Sequence, residues 1–212
     1  MNQTPKNKSL DGLYMAVGSA ISNWTRIEIQ LHQLFTICLA FIPMQCGGGF
    51  SINAPGPGAV LDAIDGFRGK LLMIDAAMEA ALDGIDAEGV AILNDWSVER
   101  KKINALHGNR NALAHWTASR HTNRDGSTKE VRLEPPYYSS DNHQGVRETD
   151  VQQWEQCFTE ASYRLAVLVE RLASHRGLQR KHLEQVASQI RCTYLSDPTL
   201  LEFLKHELSG HL

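Results

Sequence analysis

Residues 10–42 read LDGLYMAVGSAISNWTRIEIQLHQLFTICLAFI. Within them Leu13, Val17, Ala20, Ile21, Trp24, Ile27, Leu31, Leu34, Phe35 and Cys38 recur at intervals of three and four, the spacing of side chains that share one face of an α-helix. The stretch predicts a long amphipathic helix. Two further periodic stretches follow, from about residue 59 to 82 and from about 87 to 115 or 116, separated by Asp83-Gly84. A fourth runs from about 149 to 175, with Val151, Trp154, Phe158, Ala161, Leu165, Leu168, Val169 and Leu172 as its stripe and Gly177 as its stop. Four long helices and little strand pattern predict an all-α fold, an antiparallel four-helix bundle.

The connections have their own signals. Gly47, Gly48, Gly49, Pro55, Gly56, Pro57 and Gly58 crowd residues 43–58 with helix and strand breakers, so a loop is expected there. No GxxxxGK[ST] pattern is present, so the glycines read as a flexible connection and not as a phosphate cradle. Between 116 and 136 the pattern changes to short runs of Thr, Arg and Val around Asn123-Arg124-Asp125-Gly126, which predicts a small hairpin or ordered loop inserted in the bundle. Residues 178–212 read as two shorter helices broken at Ser196-Asp197-Pro198. The expected organisation is a bundle over 1–177 and a C-terminal helical extension over 178–212.

Composition bounds the function. With 212 residues, 42% hydrophobic and 21% charged, the chain has material for one main core and is neither disordered nor fibrous. A net charge of −3 argues against nucleic-acid binding through bulk positive charge and leaves a local patch as the alternative. Residues 59–95 carry eight acids against Arg68 and Lys70, whereas residues 99–132 carry eight bases, Arg110 and Arg120 among them, against three acids. Two solvated faces, or one anion-binding surface, both fit this asymmetry. No apolar segment resembles a secretory signal, and the longest apolar run, near residues 34–44, is shorter than the roughly 20 residues a membrane crossing needs. A cytoplasmic chain without membrane contact is expected. Cys38, Cys46, Cys157 and Cys192 form no CxxC pair and read as reduced thiols.

The most informative segment is His107-Gly108-Asn109-Arg110-Asn111-Ala112-Leu113-Ala114-His115-Trp116. At about 100° per residue, Ile103, Leu106, Leu113 and Ala114 mark an apolar arc, and Arg110 falls inside it. Burying a guanidinium costs several kcal/mol unless an acceptor meets it, on the order of the penalties known for buried ions. Glu28, on the apolar side of the first helix, is the expected partner, directly or through His107. His107, Asn111 and His115 follow at intervals of four and form a polar ridge. Eight residues of helix hold the two histidines about 12 Å apart, whereas zinc takes each nitrogen at about 2 Å, so no metal is expected there. Trp24, Trp96, Trp154 and Phe35 sit at core spacing, while Trp116 is placed either to pack or to stack on a base.

Arg110-Asn111-Ala112-Leu113-Ala114-His115 resembles the motif of HEPN domains (higher eukaryotes and prokaryotes nucleotide-binding), in which an arginine and a polar residue precede a histidine by three intervening positions. Such domains occur in many bacterial and archaeal ribonuclease toxins and defence systems. The resemblance extends over the helix organisation from about Leu10 to His175, including the Trp24 to Phe35 segment. It does not reach residues 178–212, and the 116–136 insertion departs from it. It implies a homodimer whose motif-bearing helices meet across a two-fold axis, and a metal-independent endoribonuclease without a cofactor. Arg110, Asn111 and His115 would be the catalytic residues, with Glu28, His107, Trp116 and Arg120 in support. An imidazole suits general acid–base work and a permanent guanidinium suits the phosphate. The resemblance also implies RNA as substrate and a toxin–antitoxin or phage-defence setting with an antitoxin or nucleotidyltransferase partner, although no nucleotidyltransferase-like sequence lies in this chain. A second reading stays open. In it the chain is a non-catalytic dimeric module that binds RNA, a nucleotide or a partner protein, and Arg110 with Glu28 is a structural bridge.

Overall fold

The computed structural model describes residues 9–39, 55–82, 86–136 and 145–177. The protein is mostly helical with a small antiparallel sheet. In chain order the elements are α1 (Leu10–Leu39), α2 (Pro55–Asp62), α3 (Phe67–Leu82), α4 (Ala87–His115), β1 (Thr117–Thr122), β2 (Thr128–Glu134), β3 (Val146–Arg147) and α5 (Glu148–His175). The expected extension over 178–212, the glycines at 47–49 and the Asp83-Gly84 break lie outside the described residues.

Short-range chemistry sets the helix ends. Ser9 accepts the N–H of Gly12 at 3.1 Å and Asp86 that of Gly89 at 2.8 Å, so each side chain satisfies a donor the first turn of its helix leaves open. Asp150 reaches back to the N–H of Arg147 at 2.8 Å, half of a capping box at the start of α5. Gly177, at φ +71°, ends α5 in the left-handed conformation that glycine adopts without strain.

Two expectations change in the middle of the chain. The periodic stretch 59–82 is two helices, because the chain turns at residues 63–66 and Gly66 takes φ +84°. Pro55 to Gly58 is the start of α2 and not loop. Both prolines lie in its first turn, where backbone N–H groups have no helical acceptor and a missing donor costs nothing.

The chain divides into two compact units, Met1–Ile27 with Lys101–Tyr163, and Glu28–Arg100 with Arg164–Leu212. In the first, Leu13, Ala20, Trp24, Ile27, Ile103, Leu113, Val151, Phe158 and Ala161 are buried, and Trp24 meets Phe158 edge-on at 5.2 Å. Gly12 lies against Glu148, Ser19 donates to Glu155, and Trp24 packs on Phe158. The partners advance together, so α1 and α5 run in the same direction. The sheet belongs to this unit, with strand order β1-β2-β3 and Ser119, Arg132 and Arg147 in register. Alternation buries Val131 and Leu133 on one face and places Glu130, Arg132 and Glu134 on the other.

In the second unit, Leu34, Phe35, Leu71, Ile74, Met78, Leu82, Ile92, Trp96, Leu165 and Leu172 are buried. Trp96 and Arg100 of α4 meet Asp75 of α3 at 2.8 Å each, and Glu99 and Asp86 meet Arg164 and His175 of α5. Here α4 is antiparallel to both α3 and α5. The expected alternation therefore holds for α3, α4 and α5, but α1 and α5 are parallel. The reason lies in the long connection after α1. By Asp62 the chain is back beside His32, 3.1 Å away, and Met78 then meets Cys38 near the end of α1.

Candidate functional site: the polar ridge of α4

The last four turns of α4 lie in the first unit. Ile103 and Leu113 are buried as expected, and so is Ala112, half a turn round the axis from Ile103, whereas Ala114 is exposed. The buried side of the helix shifts towards Leu113 and Ala112 near its end. Arg110 is therefore half-buried at the margin of the covered face, and not enclosed as the arc implied. A guanidinium so placed keeps part of its hydration and avoids most of the cost of burial.

Two members of the expected ridge, His107 and Asn111, come together, and Arg110 joins them. The Asn111 Nδ2 atom lies 3.5 Å from His107 Nδ1, and Arg110 Nη1 donates to Asn111 Oδ1 at 3.5 Å. The His107 ring is backed by Trp24, with ring centres 6.0 Å apart and planes tilted by 44°. Burial, and then the positive charge of Arg110, hold the His107 imidazole below its ordinary pKa, so it is neutral at pH 7. The spacing of Trp24 in the sequence predicts packing alone. Its position as the wall behind this imidazole had no local signal, because the two residues are far apart in the chain.

His115 stands apart from this trio. It is exposed and makes no side-chain hydrogen bond or ion pair with another described residue. Helix geometry sets it about 7.5 Å along the axis and about 140° round from Arg110. Trp116 is half-buried, with its N–H on Ala112 O at 2.9 Å, and Arg120 is exposed on β1. Glu28 is half-buried and falls in the second unit, and the bond Arg110 makes in its own unit goes to Asn111.

Internal pairing trims the charge asymmetry. On the outer face of the sheet Glu130 meets Arg132 at 2.9 Å and Arg147 at 3.5 Å, and His121 meets Glu134 at 2.7 Å. Although desolvation raises the pKa of Glu130, its bond to Arg132 and the charges around it hold the carboxyl below the usual range. The period-2 run Glu130, Arg132, Glu134 was the available signal for this face. In the second unit Arg171 bridges Glu88 and Asp95, Arg100 pairs with Asp75, and His175 with Asp86. Much of the acid in residues 59–95 is thus spent within the fold. Among the described residues no group of three or more His, Cys, Asp or Glu side chains is placed to hold a metal ion, and no helix is long and apolar enough to cross a membrane.

No family model, curated protein or solved structure matches the chain.

Proposed function

We propose that the protein is a HEPN-like, metal-independent endoribonuclease that acts as a homodimer. The observation that carries this is the accessibility of the motif. Arg110 is half-exposed and tied to Asn111, and His115 opens to solvent on the same helix. Arg110 binds the scissile phosphate and meets the charge that develops on its oxygens. A base takes the proton from the ribose 2′-hydroxyl, O2′ bonds to phosphorus, and the bond from phosphorus to O5′ breaks as O5′ accepts a proton. His115 transfers protons in this exchange, and the second copy of α4 supplies its own Arg110 and His115 to the same cleft. Asn111 orients the phosphate, while Trp116 and Arg120 contact the RNA beside it. A toxin or defence role, held in check by an antitoxin or nucleotidyltransferase partner in the cytoplasm, follows from such an activity.

Purified protein with RNA in EDTA should yield 2′,3′-cyclic phosphate and 5′-hydroxyl ends. His115→Ala, with unchanged circular dichroism, should slow cleavage by a factor of about 10² to 10⁴, the usual contribution of a general acid–base group. Undiminished cleavage in that variant would remove His115 from the chemistry. RNA bound but uncut by the wild type would favour the binding-module reading, which shares the half-exposed Arg110 but needs no open imidazole.

A further inference from the structure

Arginine has five N–H donors and no acceptor, so the carboxamide of Asn111 must turn its oxygen to Arg110 Nη1. That choice points Nδ2 at His107 Nδ1, 3.5 Å away. A donor facing a ring nitrogen requires that nitrogen to be unprotonated, which leaves the ring proton on Nε2. The flipped carboxamide would set N–H against N–H at Arg110, a clash that no choice of His107 tautomer relieves. Each contact is at the long end of hydrogen bonding, but the two agree on a single orientation.

We propose that His107 is a positioning residue: by accepting from Asn111 it fixes the carboxamide, and the carboxamide fixes the aim of the Arg110 guanidinium. Trp24 holds the imidazole from behind. The lowered pKa of His107, from burial and the nearby arginine, keeps the acceptor available at neutral pH. The catalytic consequence rests on the ribonuclease reading, but the aiming of Arg110 does not.

Two kinds of measurement on the full chain separate these. Imidazole ¹⁵N NMR of the wild type near pH 7.5 should show His107 with Nδ1 unprotonated and the proton on Nε2. A protonated Nδ1 would overturn the proposal without any variant. His107→Phe keeps a ring against Trp24 and removes the acceptor, whereas His107→Gln keeps an acceptor within reach of Asn111 at the i, i+4 spacing. In His107→Phe the side-chain N–H signals of Arg110 should broaden or shift, and His107→Gln should restore them. If the wild type cuts RNA, His107→Phe should lower kcat about tenfold or more with little change in KM, within the penalty known for small misplacements, and His107→Gln should recover most of it. Arg110 signals and kcat unchanged in His107→Phe would refute the aiming role. If the wild type cuts nothing, the ribonuclease reading falls, and the NMR results alone decide the positioning.

Discussion

His32 is the most buried titratable side chain of α1, 4% exposed, with its Nε2 3.1 Å from Asp62 and Lys70 3.6 Å from the same carboxylate. Burial lowers its pKa, Asp62 opposes that, and Lys70 adds to the lowering, with a net fall. The unfolded chain then binds a proton that the folded chain resists, so stability is complete above the unfolded value of about 6.5 and is lost as pH drops through the folded one. The melting temperature should fall on acidification below about pH 6.5, and His32→Gln should flatten that slope. An equal slope in the variant would show that His32 does not drive it. His107 is lowered for a related reason but is only half-buried. Neither fall was legible in the sequence, because the burial that leads each of them is a product of tertiary packing.

Two glycines change places between sequence and structure: Gly58, read as a loop breaker, is helical, and Gly66, inside a stretch read as one helix, lies at a turn. Gly66 has φ +84° with open space where a Cβ would stand, while Gly58 is helical in α2 and a Cβ there would lie 3.8 Å from His32 Nδ1, an ordinary contact. Gly66→Ala should therefore cost about 1–2 kcal/mol of stability through backbone strain alone. Gly58→Ala should add about 0.5–1 kcal/mol by removing a flexible residue from a helix. Urea unfolding of both variants checks the signs, and two changes of the same sign would mean the α2–α3 boundary is misplaced. Periodicity did reveal α1, α4 and α5 to within a few residues, since each carries its own stripe and its own stop. Asp125-Gly126 also marked its turn, with Gly126 at φ +82°. The break inside 59–82 escaped because apolar spacing continues on both sides of it. The two residues of β3 escaped because they become a strand only by pairing with β2.

At the scale of the whole molecule, the parallel run of α1 and α5 follows from where the connection after α1 returns, and no local pattern encodes that return. The candidate site was legible in kind, as a motif on a long helix. Its degree of exposure was not, because the face of α4 that is covered changes between Ile103 and Leu113. The central claim is the proposed one, that Arg110 and His115 of α4 act on an RNA phosphodiester attacked by its own 2′-hydroxyl. The most direct test is cleavage, in EDTA, of one oligoribonucleotide and of its 2′-O-methyl counterpart at every position. The expected result is 2′,3′-cyclic phosphate ends from the first and an intact second. Cutting of the methylated strand, or cutting only after a divalent metal is restored, would contradict the account.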